Sequence, residues 1–441
     1  MNLYDLILLR DYNTRIVLLG VTLLGASCGL VGGFLLLRKR ALVSDAIAHA
    51  ALPGIVAAFI ILTLLGLDAR NLPALLAGAA CTGGLGMAWV LAVRHSTRVK
   101  EDAAIGTVLG VFFGLGVALL RIALDVNPRQ GAGLEGFIYG KTASMIASDA
   151  WLIGVAAVAV ALVCVCAFKE LALLCFDPAF AAAQGWPVLR LDALLMGLVV
   201  AVTVIGLQAV GLILVVAMLV IPAAAARFWT DRLPTLLALG AGFGAMSGLL
   251  GAAMSALAPR MPAGAVIVLV ASGLFFLSMM FGPARGLLVR AVSAQRLSRR
   301  IALQNLLREL YESSETRPER REVGLDELQR RRSWSRWGLG RVLRRAESRG
   351  LLVESPAGGY RLSEAGQIEA ERIVRNHRLW ELFLLSHADI APQQVDRDAD
   401  RVEHVLSAET IRRLEGLAEA RSPAPPRSPH PLDPPNSGGP A

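Results

Sequence analysis

Nine apolar runs occupy the first two thirds of the chain, at about residues 16–37, 47–66, 73–93, 103–124, 150–168, 191–207, 209–226, 235–257 and 263–281. In hydrocarbon every backbone N–H and C=O must be satisfied within its own segment, so apolar runs of about twenty residues predict membrane-spanning helices. Basic residues fall at alternate ends of these runs: Arg38-Lys39-Arg40, then Arg94, Arg98 and Lys100, then Lys169 and Arg190, then Arg227 and Arg232, then an arginine-rich stretch from Arg285. With nine spans all five sets share one side, which is expected to be the cytoplasm, with the N-terminus outside. Segment 134–149 is too short and broken to cross and is expected to form a short helix on the outer face. Small residues recur, as in Gly25-Ala-Ser-Cys-Gly29 and Gly240-Ala-Gly-Phe-Gly244, and predict a closely packed bundle.

After Pro283 the pattern becomes charged and amphipathic. Helical spacing predicts a helix over Ile301–Tyr311, a loop over 313–322, and two helices over Leu325–Arg331 and Trp334–Arg349, the second closed by Gly350. Residues 351–354 and 360–362, joined by Ser355-Pro-Ala-Gly-Gly, read as a hairpin, so the set predicts a winged helix. Ser363-Glu-Ala-Gly366 opens a long helix, and 422–441 is a Pro-, Ser- and Gly-rich tail expected to be disordered. The expected divisions are 1–284, a basic linker 285–300, a winged helix 301–362, a helical unit 363–421 and the tail. The fold class is an all-α polytopic membrane unit of eight or nine spans, followed by a soluble α+β winged helix and a helical domain.

Composition agrees with that division. Of 441 residues 55% are hydrophobic and 18% charged, which excludes a disordered chain, a collagen and a disulfide scaffold. Residues 1–284 hold 17 basic and 13 acidic side chains, and the remaining 157 hold 27 and 22. The five cysteines, Cys28, Cys81, Cys164, Cys166 and Cys175, show no C-x-x-C spacing and read as small packing residues. Met1–Arg15 mixes Asp5, Arg10, Asp11 and Arg15 and lacks the layout of a cleavable leader, so the first run is expected to be a retained helix.

Ionisable groups inside apolar runs are costly and usually face a bundle interior or a pathway. Asp45 and His49 stand at i and i+4, on one helical face. A carboxylate and an imidazole suit a divalent transition metal; the competing reading is a helix cap and a histidine bonded to a carbonyl. Pro53-Gly54 fits a kink beside a cavity, and Glu101-Asp102 an acidic pair at a helix start. Gly136-Phe-Ile-Tyr-Gly140-Lys141-Thr142 resembles a P-loop, but its glycines are one residue too close and it lies between spans, so no ATP binding is expected there. In the soluble part Arg330, Arg331, Arg332, Arg336, Arg341, Arg344 and Arg345 suit phosphates of DNA or of lipid headgroups, or form a solvated basic face. Asp400, Glu403 and His404 share a helical face at i, i+3 and i+4, and His377 is placed to join them. Those donor types suit Mn²⁺, Fe²⁺ or Zn²⁺, the alternative being a solvated charged helix.

Four blocks carry a resemblance: Leu35-Leu-Leu-Arg-Lys-Arg-Ala-Leu-Val-Ser-Asp45-Ala-Ile-Ala-His49-Ala-Ala-Leu-Pro53-Gly54, Glu101-Asp-Ala-Ala-Ile-Gly106, Phe176-Asp-Pro-Ala-Phe-Ala-Ala-Ala-Gln-Gly185, and Val210-Gly-Leu-Ile-Leu-Val-Val-Ala-Met-Leu-Val-Ile-Pro-Ala-Ala-Ala-Ala-Arg227. Through them residues 16–284 resemble the ABC-3 type membrane permease of importers for manganese, zinc or iron. The resemblance implies a type II importer fold, a second permease copy, a separate ABC ATPase subunit, and an extracytoplasmic metal-binding protein. It implies that Asp45 and His49 lie on the metal pathway. It further implies that Phe176, Asp177, Pro178, Phe180 and Gly185 belong to the helix that docks into the ATPase.

Residues 301–418 resemble the metal-dependent repressors of the DtxR/MntR (iron-dependent repressor) family. That resemblance implies a regulatory metal site at His377, Asp400, Glu403 and His404. The chain departs from the family in the first helix, where an acidic or thioether ligand is usual and alignment on Tyr311 places Asn305 and Arg308. The resulting expectation is a permease subunit with no catalysis of its own and no covalently bound cofactor. Divalent metal would be its substrate, and a cytoplasmic domain would restrain transport when it binds metal. The alternative is a membrane-tethered, metal-responsive regulator that binds DNA.

Overall fold

All nine apolar runs fold as helices in the computed structural model, which describes residues 11–69, 71–131, 145–257, 261–316, 322–331, 334–356 and 358–387, with residues 134, 137, 140, 142, 409, 410, 414 and 426. The chain runs through α1 (Tyr12–Leu37), α2 (Ala41–Leu64), α3 (Leu72–Ser96), α4 (Glu101–Val126) and the single turn α5 (Pro128–Gly131). It continues through α6 (Ala147–Cys166), two short helices α7 (Phe168–Phe176) and α8 (Pro178–Ala183), then α9 (Val188–Val210), α10 (Leu212–Ala226), α11 (Leu233–Leu257) and α12 (Ala263–Phe281). Eight of these are long and apolar enough to cross a membrane. The ninth, α10, has 15 residues, so at 1.5 Å per residue it reaches about 22 Å, short of a hydrocarbon core of about 30 Å. Gly211, at φ +84°, is the single residue between α9 and α10, and its positive φ turns the chain sharply there.

α1 is the hub of this unit, packed against α6, α9, α10 and α11. The two small-residue motifs meet each other. A methyl at Gly25 would collide with the backbone carbonyl of Gly244, and one at Gly29 with that of Gly240. α1 and α11 are therefore antiparallel, with Gly33 near the end of α1 facing Leu236 and Leu237 at the start of α11. Gly29→Val is expected to lower the thermal midpoint of the purified full-length chain by overpacking worth about 1–3 kcal/mol. Gly242→Val, whose new carbons meet open space, is the control; equal midpoints for the two variants would disprove the contact.

The same antiparallel pairing sorts the basic sets by end. The start of α11 lies at the Arg38 end of α1, and the backbone N–H groups of Ala284 and Arg285 donate to the Phe228 carbonyl while Arg285 pairs with Asp231. The turn before α11 and the exit from α12 are therefore neighbours at that end. Of segment 134–149, where a short outer-face helix is expected, only part lies among the described residues. Leu134 and Phe137 are buried with Leu52, Ile55 and Phe59, and the sulfur of Met145 lies against Gly20. These apolar side chains anchor the segment into the bundle, which the short spacing alone did not reveal.

A second compact unit covers residues 291–441, the first covering 1–290. It opens within α13 (Leu287–Thr316), a continuous 30-residue helix that takes in residues 287–300 of the expected linker, because no proline or glycine interrupts them. β1 (Val323–Gly324), α14 (Leu325–Arg331), α15 (Arg336–Ser348), β2 (Leu352–Glu354), β3 (Gly359–Leu362) and α16 (Glu364–His387) follow. The strands form an antiparallel sheet in the order β1-β3-β2, with Val323 opposite Tyr360 and Leu352 opposite Leu362. Two helices and a hairpin thus stand in the winged-helix order. Ser335 caps α15 by accepting from the Gly338 amide at 3.1 Å. Gly350 (φ +67°) closes the helix as expected, with Leu351 N–H donating to the Ala346 carbonyl in a Schellman-type turn. Leu306, Leu307, Leu339, Leu343, Leu352 and Ile373 form the core of this unit. β1 was missed in the sequence because two residues carry no periodicity.

Candidate metal pathway, coupling and regulatory sites

α2 carries Asp45 and His49 on one face, and the structure brings them together: His49 Nε2 lies 3.5 Å from Asp45 Oδ1. The ring of Phe113, from α4, meets the His49 ring edge-on at 4.7 Å between centroids. His49 Nδ1 is buried and has no hydrogen-bond partner among the described residues. Four residues on, Pro53 lies inside the helix; it has no amide hydrogen to give the His49 carbonyl, so the ladder is broken at the pair. Gly54 lets α3 approach so closely that a methyl there would strike the Gly78 carbonyl. A carboxylate and an imidazole therefore meet on one helix face beside a break in its hydrogen-bond ladder.

One end of the bundle holds a charge cluster that sequence reading missed. Asp192, near the start of α9, is 4% exposed. It accepts from Arg40 at 2.7 Å, from Arg38 at 3.2 Å and from Arg94 at 3.3 Å. Arg38 also donates to the Leu174 carbonyl of α7 at 3.0 Å. One buried carboxylate thus joins the end of α1, the start of α2, the end of α3 and the start of α9, and through Arg38 it reaches α7. Arg38, Arg40 and Arg94 had been read only as markers of orientation. The signal available was a lone aspartate at the edge of an apolar run. At the opposite end of α9, Gln208 donates to Asp149 of α6 at 3.0 Å, a second unforeseen tie.

The segment after α7 is a short, capped and exposed helix. Asp177 accepts from the Phe180 amide at 2.9 Å, Pro178 occupies the first turn of α8, and Gly185 (φ +83°) follows its end. Ala181 is fully buried and seats α8 on the bundle, while Phe176, Phe180 and Trp186 are 66%, 50% and 40% exposed. Three large aromatic rings are thus exposed on and beside this short helix.

In the second unit Arg336, Arg341 and Arg344 of α15 are exposed and Arg345 is half-buried. The guanidinium of Arg341 lies 4.6 Å over the exposed Trp337 ring. Arg331 is the last residue of α14, and Arg332 lies outside the described residues.

Of the four regulatory ligands expected, Asp400, Glu403 and His404 lie outside the described residues. His377 of α16 is fully buried. Its Nδ1 is 3.0 Å from a terminal nitrogen of Arg308, and its Nε2 is 3.1 Å from Glu381. Arg308, on α13, also donates through Nε to Glu312 at 2.8 Å. The His377 ring therefore lies between a guanidinium and a carboxylate. No group of three or more metal-ligating side chains gathers among the described residues.

The ABC 3 transport family matches residues 10–282, from the start of α1 past the end of α12. The chain belongs to that family. The iron dependent repressor, metal binding and dimerisation domain matches residues 363–432, so this ABC 3 transport protein carries a repressor-type domain behind its membrane unit. It is 35% identical to the manganese transport system membrane protein MntC of Bacillus subtilis, over 93% of this chain and 92% of that one. It is 42% identical to the zinc transport system membrane protein TroC of Treponema pallidum, over 66% of this chain and 96% of that one. Among solved structures, PsaBC from Streptococcus pneumoniae in complex with Fab aligns with a TM-score of 0.57 at 30% identity, covering 67% of this chain and all of that one. The chain is a multi-pass membrane protein with a transport role.

Proposed function

We propose that this chain is the permease subunit of an ATP-driven importer that moves a divalent transition metal across the cytoplasmic membrane, with Mn²⁺ favoured and Zn²⁺ or Fe²⁺ as alternatives. The observation that carries the reading is the Asp45–His49 pair, whose buried Nδ1 has no hydrogen-bond partner among the described residues. Relatives named for manganese and zinc transport support it, one of them along almost the whole chain. Oxygen and imidazole donors hold such ions while leaving them exchangeable, as a pathway requires.

In this reading a separate ABC ATPase docks on the α8 segment through Phe176, Asp177, Pro178, Phe180 and Gly185. An extracytoplasmic metal-binding protein delivers the ion, and a second permease copy completes the pathway. The end that gathers Arg38, Arg40, Arg94 and Arg285 is the cytoplasmic one, which puts the C-terminal unit in the cytoplasm. There Arg336, Arg341, Arg344 and Arg345, beside Trp337, form a face for phosphate groups of DNA or of membrane lipid. Contacts of that kind weaken steeply with salt. Substituting Arg341 and Arg344 together by alanine is expected to reduce both the binding and its salt slope in gel shifts or vesicle sedimentation; unchanged slopes would remove that surface from the reading.

The test is Mn²⁺ uptake by vesicles containing the chain, its ATPase and its binding protein. Losing even an outer-shell partner of a metal ligand costs about 10–100-fold, so Asp45→Ala and His49→Ala are each expected to lower uptake at least that much. Both variants should still assemble with the ATPase. Wild-type rates in both variants would reject the pathway.

A further inference from the structure

The first half of α13 is cationic without compensation: no acidic residue occurs in it before Glu309. Arg296, Arg299 and Arg300 stand three and four residues apart, on the helix face that continues into Leu303 and Leu307. That face lines a cavity of about 710 Å³, to which the end of α15 contributes Arg345 and Arg349 and α16 contributes Arg372. All of these residues belong to the second compact unit. The single carboxylate in the lining, Glu369, is already taken by Arg372, whose Nε and terminal nitrogen donate to it at 3.0 and 2.6 Å. The other five arginines make no ion pair among the described residues. Like charges four apart on a helix repel, as Arg296 and Arg300 do, and as Arg345 and Arg349 do. At the end of α15 the helix dipole favours cations, but within α13 no such field offsets the repulsion. The floor differs from the rim: Leu303, Leu307 and Ile373 are buried core residues.

We propose that this cavity binds a ligand of nucleotide size that carries clustered phosphate groups, with its phosphates on the arginine rim and its apolar portion on the leucine floor. Guanidinium groups match phosphate oxygens in a two-pronged geometry and keep their charge at every physiological pH. The volume falls within the range of about 300–1,000 Å³ usual for small-molecule sites, well beyond the needs of a lone phosphate. A soluble nucleotide and an anionic phospholipid headgroup offer the same chemistry. Because the walls come from α13, α15 and α16, an occupant ties these three helices together and stabilises their packing by mass action. Arg336, Arg341 and Arg344 do not line the cavity, and the inference does not depend on the transport reading.

The experiment uses the full-length chain in phosphatidylcholine nanodiscs, with EDTA and without any ATPase, and measures binding of adenosine triphosphate by equilibrium dialysis. Arg296→Gln combined with Arg300→Gln is expected to weaken binding at least about tenfold, the effect of losing one or more charge-assisted hydrogen bonds. Arg290→Gln combined with Arg361→Gln removes the same charge from exposed positions outside the cavity and is expected to keep the wild-type affinity. Arg296 and Arg300 are themselves exposed, so their variant keeps the fold, which its ligand-free thermal midpoint checks. A second set of nanodiscs contains phosphatidylglycerol. With a lipid source the nucleotide does not bind, and phosphatidylglycerol raises the thermal midpoint of the wild type but not of the Arg296/Arg300 variant. Nucleotide binding that is lost in that variant assigns the soluble source. No response in either arm, or the same response in the wild type and the Arg296/Arg300 variant, would overturn the proposal. Equal weakening of nucleotide binding by the Arg290/Arg361 pair would also overturn it, as general attraction to a basic surface.

Discussion

Asp192→Asn is expected to destabilise the membrane unit by about 3–5 kcal/mol, the usual cost of removing one partner from a buried ion pair. The amide keeps the volume and some hydrogen bonding of the carboxylate but removes its charge. Arg38 and Arg40, with side chains 8% and 3% exposed, would then confront each other, while Arg94, at 37%, can turn toward water. The loss should appear as a lower thermal midpoint of the purified full-length chain and poorer recovery from detergent. Arg40→Met added to Asp192→Asn should restore part of it, since removing one surplus charge relieves the repulsion. A single variant as stable as the wild type, or a pair of substitutions with strictly additive losses, would show that the cluster holds nothing together.

The cluster lies between the two segments to which the proposed function assigns roles. Arg40 immediately precedes α2, and Asp45 lies just over one turn into that helix. Arg38 grips the last turn of α7, which leads into α8. Buried, bonded side chains therefore connect the chain entering α8 with the start of the helix that carries Asp45 and His49.

The membrane unit was legible from the sequence because its period is trivial: a run of apolar residues forced to satisfy its own backbone can only be a helix. All nine runs are helices, with ends moved by a few residues. Asp45 and His49 were legible for a similar reason, since their four-residue spacing alone puts them on one face. What escaped was pairing between distant segments. Asp192 and Arg40 are 152 positions apart, and no local pattern announces that they meet. The glycine motifs were visible as close-packing signals, but not that Gly25 and Gly29 would choose Gly244 and Gly240. Gly211 was read as part of an unbroken run, because only its positive φ reveals the turn that shortens α10. In the C-terminal unit Arg308 was recognisable as a departure from the repressor-type pattern, and its contact with His377 emerged only when α13 and α16 were packed together.

Phe180→Asp is expected to detach the proposed ATPase while leaving the fold intact. Phe180 is half exposed, so an aspartate there loses little packing within this chain. Exposed aromatic anchors commonly supply at least 2 kcal/mol of binding energy when a partner buries them. A carboxylate left in that pocket adds a desolvation cost, so the dissociation constant should rise at least about thirtyfold. Uptake should fall with it, while the thermal midpoint of the permease alone stays at the wild-type value. Ala181→Asp, by contrast, places a charge at a fully buried position of the same helix and should lower that midpoint. The two variants separate docking from folding on neighbouring residues. Wild-type affinity in Phe180→Asp would move the proposed docking surface away from α8.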